Sequence, residues 1–479
     1  MPHRLGSTGR RRAVPRDRRR ASGPGPAGRT AASVRRAALR KRPADPPDRV
    51  PQHPATPTAY QESLMKTSTT TAIGAQRIPP QAQHTAPAAT TTRPPDGTPR
   101  TPAKNTWPHR AWYAIRPALA IYATSAVLHL VLLAVMSPPG APGVHDKLLS
   151  WDGDLYRSIA QNGYPDSFTH DADGKLVGNN LAFFPAYPAL IRTVHALTGL
   201  GYGTAALVAA HLAMIAALVA VHLLVSRLYD RRTATVATIL LACAQPMALA
   251  FLMAYSESLF LALAAATLVA AHRKAWLTAG TFAFLTGLTR PAAAAVAAAL
   301  VAAVVLHLMR ERRVTWRPLA AIALACTGTP AYLWWVGQRL HKADAWFTIQ
   351  QAGWDTRWDN GSSFWHFLGH AFTEADGWVP VSTAVLLLAL IVATVLAWQR
   401  GTWPPLLIYG TAILVLTLGQ SNYYHSKLRL VVPALIFLVP LSRALSHARP
   451  RTAAITLTAA SLFGSWYGAY MLTTWHYAI

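Results

Sequence analysis

Two aspartates, Asp152 and Asp154, begin a short helical pattern within a mostly apolar chain. Apolar residues recur at helical spacing after them, and Gly163 is a helix stop, so a helix is expected over about 152–161. A helix N-terminus favours an ionised carboxylate, so one aspartate can stay charged beside apolar lipid. The spacing leaves two alternatives open: a carboxylate kept ionised for chemistry, or an acidic cap on an interfacial helix.

Aromatic side chains accompany the aspartates. An apolar run over 179–197 is interrupted by Pro185 and Pro188, which is typical of a re-entrant or surface-lying element. Its aromatic groove suits a sugar ring or an isoprenoid chain, although anchoring at the membrane interface explains it as well. The aromatic residues that we single out as candidate ligand-binding residues are Trp151, Tyr156, Phe183, Phe184 and Tyr187.

Four further charged residues lie in or beside apolar runs: Glu257, Arg290, Lys427 and Arg429. Ionisable groups that border the hydrocarbon are costly, so they tend to be functional or paired. Glu257 and Arg290 are expected near the same ends of their helices. Either the two residues bind a ligand, or they form a salt bridge that only holds the helices together.

The composition places these residues in a membrane protein. The chain has 479 residues, is 52% hydrophobic and only 13% charged, and carries a formal net charge of +26. An ordinary soluble enzyme has about a quarter charged residues and is therefore excluded. We predict an all-α polytopic protein whose eleven apolar runs span the bilayer near 115–136, 204–225, 233–253, 256–271, 275–289, 292–309, 318–337, 379–398, 403–419, 429–446 and 452–472.

Charge also predicts the side that each loop faces. If the N-terminus is cytoplasmic, every short inner loop is basic, and only Asp230 and Glu311 of the later acidic residues fall inside. Two long loops, 137–203 and 338–378, then face outward. Long structured loops usually carry function, so the chemistry is expected at the outer face of the cell membrane, with 137–203 as the catalytic loop.

Residues 1–110 form a separate basic arm that is rich in Arg, Pro, Ala and Thr and predicted to be disordered, ahead of a membrane domain over 111–479. The arm is interpreted as a solvated tail, or as translated sequence ahead of a start at Met65. The alternative with a specific function is that the arm binds nucleic acid or anionic lipid. Because the arm lacks interleaved aromatic residues, no nucleic-acid partner is expected. The two cysteines, Cys243 and Cys326, are interpreted as small core residues.

The order of the motifs resembles the first luminal loop of the PIG-V-like mannosyltransferases, which are multi-pass glycosyltransferases of the GT-C type. The loop reads W-D-x-x-Y from Trp151, I-A-x-x-G-Y from Ile159 and A-F-F-P-x-Y-P from Ala182. Residues 255–260 (YSESLF) and 287–291 (GLTRP) are similar to later elements of that family. The resemblance covers about residues 110–475, and its C-terminal part is only a hydropathy pattern with a few matching residues.

The resemblance implies a GT-C-like fold and transfer of a hexose, mannose for this family, from a polyprenyl phosphate-sugar to an acceptor hydroxyl. Such transfer needs a base to take the hydroxyl proton and positive charge near the departing phosphate. The family motif assigns the base to Asp152, with Asp154 in reserve. Arg290 is then the cation for the lipid phosphate, in competition with Lys427 and Arg429, and Glu257 contacts the acceptor or orients Arg290.

The expected partners are the lipid-linked donor, the membrane, and a lipid, glycan or protein acceptor. No cofactor is expected, and the histidines are too dispersed to favour a metal site, although a divalent metal is not excluded. A transporter or lipid-sugar flippase is the main alternative, but the two halves show no internal repeat. A scaffold that tethers the basic arm leaves the acidic loop and the aromatic-proline element unexplained.

Overall fold

The structure, a computed structural model, describes residues 107–375 and 377–475. The predicted basic arm therefore lies almost wholly outside the described residues. Within them the chain is nearly all helical, with two small two-stranded antiparallel sheets. The predicted all-α fold is confirmed.

The elements up to residue 272 contain the first long loop. The helices and strands are α1 (Trp107–Met136), α2 (Val144–Leu149), α3 (Asp152–Asn162), β1 (Thr169–His170), β2 (Leu176–Val177), a 3-10 turn (Asn180–Ala182), α4 (Ala186–Thr198), α5 (Tyr202–Leu228), α6 (Arg231–Ile239), a π-helical turn (Leu240–Ala244), a 3-10 turn (Ala248–Phe251) and α7 (Glu257–His272). The predicted helix over about 152–161 is thus confirmed as α3, with Gly163 as its C-cap at φ 83°.

The remaining elements contain the second long loop. They are α8 (Trp276–Gly287), a 3-10 turn (Pro291–Ala293), α9 (Ala294–Glu311), α10 (Trp316–Ala325), α11 (Gly328–Arg339), α12 (Ala345–Trp354), β3 (Arg357–Trp358), α13 (Ser362–Thr373), α14 (Trp378–Gln399), α15 (Pro404–Leu418), β4 (Gln420–Ser421), α16 (Tyr424–Val431), a 3-10 turn (Leu435–Phe437), α17 (Leu438–His447) and α18 (Pro450–Thr473).

Four helices in the described part of the chain are long and apolar enough to cross a membrane: Ile115–Met136 within α1, α5, Pro291–Glu311 including α9, and α14. Two bent pairs, α10 with α11 and α16 with the segment Leu435–His447, raise the number to six if each pair is one span. The chain is therefore a polytopic membrane protein, while the count of eleven spans stays a prediction.

The predicted span over 233–253 is wrong as a continuous helix. Helix α6 ends at Ile239, and the chain continues through the π-helical turn and a 3-10 turn. Pro246 lies in this break, and a proline lacks the N–H that a helix needs. Gly464 of α18 lets that helix pack onto the break, because a Cβ there would lie 2.4 Å from the Cys243 carbonyl oxygen.

Contacts between loops agree with their predicted division into two faces. At one end Lys274 Nζ lies 2.7 Å from Glu311 Oε1, and both residues belong to predicted inner loops. At the other end the two long loops touch, since Trp346 Nε1 and Gln350 Nε2 donate to the Ala182 carbonyl at 3.2 and 3.1 Å. Which end faces the cytoplasm stays a prediction.

Candidate active site

The two long loops close over a cavity of about 390 Å³ that collects most of the candidate residues. Five charged side chains line it, and four of them are connected by ion pairs; we call these four the charged cluster: Asp152, Glu257, Arg290 and Arg429. A second cavity of about 440 Å³ is lined almost entirely by aliphatic side chains, with Arg400 as its charged member. Only the first cavity holds carboxylates, so it is the candidate for acid–base chemistry.

Asp152 enters the cavity at the start of α3. The residue before it, Trp151, has φ 55° and ψ −116°, a backbone conformation that a bulky residue rarely adopts. Such strain costs about 1–3 kcal/mol and often marks a functional site. The turn is held by backbone hydrogen bonds from Asp154 and Leu155 to the Trp151 carbonyl at 3.1 and 3.4 Å.

Packing of the segment before α7 onto this turn brings Glu257 next to Asp152. The Ala254 N–H donates to the Leu148 carbonyl at 2.9 Å, and the Tyr156 hydroxyl donates to Ser256 Oγ at 2.9 Å. Gly153 leaves room for the contact, because a Cβ there would already lie 3.3 Å from the Ala254 Cβ. Residues about a hundred positions apart therefore contribute to one wall.

Arg429 bridges the two carboxylates. Its Nη1 lies 2.8 Å from Asp152 Oδ2 and its Nε lies 3.3 Å from Glu257 Oε1. Arg290 Nη1 is 3.1 Å from the same Glu257 oxygen. The Asp152 side chain is 20% exposed and that of Glu257 only 2%. The predicted proximity of Glu257 and Arg290 is confirmed, and the chain of pairs extends to Asp152.

Aromatic rings hold the two guanidinium groups from the side. The Arg429 guanidinium carbon lies 4.8 Å from the centre of the Tyr255 ring, and that of Arg290 lies 6.0 Å from the Phe260 ring. The charged atoms nevertheless keep bonding capacity. Glu257 Oε1, Arg290 Nη1 and Arg429 Nε and Nη1 are buried without a partner in hydrogen-bond geometry. These atoms are held by ion pairs alone, so an anion that enters the cavity can compete with the carboxylates for the guanidinium donors.

Burial raises the pKa of Tyr156 and of Tyr255 above the usual value for a phenol. Both hydroxyls therefore stay protonated at neutral pH and act as donors. Tyr156 donates to Ser256 and Tyr255 donates to the Ser150 carbonyl at 3.3 Å. These two bonds tie the segment around Asp152 to the residues before α7.

The second long loop supplies a wall that is not strongly charged. Its cavity-lining residues, which we call the second-loop wall, are Trp346, Phe347, Gln350, Trp354, Thr356, Arg357 and Trp358. The wall docks onto the predicted aromatic segment: Trp354 packs edge-on against Phe183 with 5.4 Å between ring centres, and Trp346 packs against Phe184 at 5.9 Å. Phe183 and Phe184 both line the cavity as well.

Four predicted site residues lie outside the cavity lining. Asp154 is 57% exposed and pairs with Arg157 Nη2 at 2.9 Å. Tyr187 is fully buried and donates to the Ala206 carbonyl, while Trp151 is the residue before α3 and packs on the core. Lys427 is buried, and its Nζ donates to the carbonyls of Thr417 and Gln420 at 3.0 and 2.8 Å. Their roles at the site stay predictions.

Sequence reasoning marked the second long loop as functional but named none of its residues. Trp346, Gln350, Trp354, Arg357 and Trp358 were missed, and so was Asn422. The available signal was the density of Trp and Gln over 346–358 in a predicted outer loop, a composition that suits carbohydrate. Within the described residues no group of three or more His, Cys, Asp or Glu side chains is arranged to hold a metal ion.

No family model matches the chain, and no curated protein matches it. Among solved structures it is similar to ArnT from Cupriavidus metallidurans bound to undecaprenyl phosphate, with 16% identity, TM-score 0.46, and coverage of 74% of this chain and 76% of that one. It is also similar to the oligosaccharyltransferase of Archaeoglobus fulgidus in the apo form, with 12% identity, TM-score 0.45, and coverage of 76% and 57%. The enzyme AglB from Archaeoglobus fulgidus, in complex with an inhibitory peptide and a dolichol-phosphate, gives 13% identity, TM-score 0.42, and coverage of 77% and 56%.

Proposed function

We propose that this protein is an integral membrane glycosyltransferase of GT-C type. It transfers a hexose from a polyprenyl phosphate-sugar to an acceptor hydroxyl at the outer face of the cell membrane. The observation that carries the proposal is the chain of ion pairs that joins Asp152 through Arg429 and Glu257 to Arg290, in a cavity that aromatic side chains also line. The resemblance of the loop motifs to the PIG-V-like family makes mannose the proposed sugar.

Asp152 is the proposed base. It takes the proton of the acceptor hydroxyl while the hydroxyl oxygen bonds to the anomeric carbon of the sugar. The bond from that carbon to the phosphate oxygen breaks, and its electron pair stays on the phosphate. Asp152 lines the cavity, and its side chain keeps some exposed surface there, so a substrate hydroxyl can reach its carboxylate.

Arg429 couples proton transfer to Asp152 with departure of the phosphate. In the free protein it is shared between Asp152 and Glu257. Once Asp152 is protonated it is neutral and attracts Arg429 less, at the moment when the phosphate gains a second negative charge. Arg429 then faces the phosphate, so positive charge is available where negative charge develops. Arg290 stays paired with Glu257 and keeps that carboxylate from repelling the phosphate.

The test is sugar transfer by the detergent-purified protein, with a synthetic short-chain polyprenyl phosphate-mannose as donor and extracted membrane lipids as acceptor mixture. Asp152→Asn keeps the shape of the side chain, and its amide oxygen still accepts a hydrogen bond from Arg429. It cannot accept the hydroxyl proton, so transfer is expected to fall by about 10²–10⁴-fold with an unchanged amount of folded protein.

The matched control is Asp154→Asn, two residues further along the same helix and outside the cavity lining. If the Asp152→Asn protein is fully active, Asp152 is not the base and the proposed mechanism is wrong. A wild-type protein without turnover in detergent supports the transporter alternative, since no membrane there separates two compartments. A polyprenyl phosphate-glucose donor, tested in parallel, decides between mannose and another hexose.

A further inference from the structure

Arg357 is a charged residue of the cavity lining that the proposed mechanism does not use. It lies in β3, which pairs antiparallel with β4 through Arg357 opposite Ser421 and Trp358 opposite Gln420. The Arg357 N–H donates to Ser421 Oγ at 3.1 Å, and that hydroxyl donates to the Asp355 carbonyl at 2.6 Å. The backbone of this exposed arginine is therefore held in place, while its side chain borders the cavity.

The charges that line the cavity do not cancel. The two carboxylates and two guanidiniums of the charged cluster neutralise one another through contacts of 2.8 to 3.3 Å. Arg357 is the fifth charged side chain of the lining, and within the described residues it forms no ion pair. The lining thus carries one uncompensated positive charge.

Two acidic residues flank Arg357 along the strand. Asp359 is engaged elsewhere: it accepts hydrogen bonds from the N–H groups of Gly361 and Ser363, each at 2.9 Å. Partial burial opposes ionisation of Asp359, but these hydrogen bonds and nearby Lys427 together lower its pKa. Asp355 follows α12 and lies within salt-bridge distance of no cation in the described part of the chain. Neither carboxylate lines the cavity.

The surroundings of Arg357 fit an anion that is attached to a polar group. Trp358 is 54% exposed and Trp354 packs on Phe183, so flat apolar surface lies on both sides of the arginine in sequence. Asn422 follows β4 and lines the same cavity. Its Oδ1 is buried and has no hydrogen-bond partner, so it is free to accept from a ligand hydroxyl.

We propose that Arg357 binds the phosphate ester of a lipid substrate, and that Asn422 accepts a hydrogen bond from a hydroxyl of the group which that phosphate carries. The inference deepens the proposed function and rests on it. A phosphodiester has a single negative charge, which matches the single uncompensated charge of the lining. In the free protein Arg290 and Arg429 are committed to carboxylates, so Arg357 is the cation that meets the incoming substrate.

The phosphate ester belongs either to the polyprenyl-linked donor or to an anionic phospholipid acceptor. Binding to the detergent-purified full-length protein distinguishes the two sources. The first pair of probes is a short-chain polyprenyl phosphate and the polyprenyl alcohol of the same length. The second pair is dihexanoyl phosphatidylglycerol and dihexanoylglycerol, which lacks the phosphate. In each pair the ratio of affinities isolates the effect of the negative charge.

Wild-type protein is expected to prefer the anionic member of at least one pair. Arg357→Gln is expected to reduce that preference by about ten- to a hundred-fold, the usual effect of a lost charge-assisted hydrogen bond, without changing affinity for the uncharged probe. Arg357→Lys keeps the charge and restores part of the preference. Loss confined to the polyprenyl pair identifies the donor, and loss confined to the phospholipid pair identifies the acceptor.

Lys342→Gln is the matched control, because it removes a positive charge from the same loop at an exposed residue outside the cavity lining. The inference is overturned if Arg357→Gln keeps the wild-type preference in both pairs, or if Lys342→Gln lowers it equally. Sugar transfer by the wild type and by Asp152→Asn is measured on the same preparations. Normal transfer by the wild type, with unchanged binding by Arg357→Gln, rejects this inference and leaves the proposed function intact.

Discussion

The charged cluster and the second-loop wall line the same cavity but differ in how they are held. The cluster joins four distant parts of the chain through buried ion pairs, with Glu257 only 2% exposed. The second-loop wall comes from one continuous segment, contains a single charge at Arg357, and docks through rings and amides. The cluster is therefore expected to govern stability and chemistry together, whereas the wall governs substrate binding.

The largest effect is expected from Glu257→Gln, which removes a carboxylate from the charged cluster. Glu257 Oε1 contacts both Arg290 and Arg429, so its loss leaves two guanidinium groups with one carboxylate. Breaking a buried pair costs about 3–5 kcal/mol. We expect a clearly lower Tm in detergent together with loss of transfer, whereas Arg357→Gln in the wall should leave Tm unchanged.

The double variant Glu257→Gln/Arg290→Gln is the control for Glu257→Gln. It removes a carboxylate and a guanidinium together, so part of the lost stability should return while transfer stays low. An unchanged Tm in Glu257→Gln alone contradicts the comparison, because the cluster would then serve chemistry without supporting the fold.

A smaller effect is expected from Gly353→Ala, which separates the two long loops. The Cβ added at Gly353 would lie 2.7 Å from the Gly178 Cα, a distance that forces the backbones apart. Such overpacking costs about 1–3 kcal/mol, and displacing the wall by about 1 Å is expected to lower transfer by about ten- to a hundred-fold. The measurement is kcat and KM for the synthetic donor, with Tm recorded beside them.

Gly369→Ala is the matched control for Gly353→Ala, since a Cβ there meets nothing within 4 Å. It should leave both transfer and Tm near the wild-type values. Equal activity in Gly353→Ala and Gly369→Ala would show that the contact between the loops is not needed to form the cavity.

The same difference explains what the sequence could predict. A charge costs free energy in an apolar run, so Glu257 and Arg290 stand out in the sequence, and their pairing follows. Trp354 and Gln350 cost nothing unusual in a loop, and only the fold brings them to Phe183 and Ala182. Their local signal is only the density of Trp and Gln in the loop, which does not show which of these residues line a cavity.

Lys427 shows that a residue can stand out in the sequence and still lie outside the cavity lining. It stands out as strongly as Arg429, but its Nζ bonds to the carbonyls of Thr417 and Gln420 at the end of α15, outside the cavity lining. A lysine at a helix C-terminus compensates unpaired carbonyls and the negative end of the helix dipole. The sequence predicts that both cations are costly, but it cannot predict which of them finds a carbonyl and which finds a carboxylate.

The smallest effect is expected from Asp154→Asn, which asks whether the two aspartates of α3 are equivalent. Both lie in the first turn, but their side chains differ in surroundings: Asp152 is 20% exposed and contacts Arg429, whereas Asp154 is 57% exposed and pairs with Arg157 of the same helix. An exposed pair of this kind contributes about 0–1 kcal/mol to stability, so the fold should persist, and transfer should fall by less than about fivefold because Asp154 lies outside the cavity lining. Salt is a further check, because it screens an exposed pair, and the small difference between wild type and Asp154→Asn should shrink as ionic strength rises. A loss as large as that of Asp152→Asn, independent of salt, would mean that the exposed face of α3 takes part in the reaction and that the division between the charged cluster and its surroundings is drawn in the wrong place.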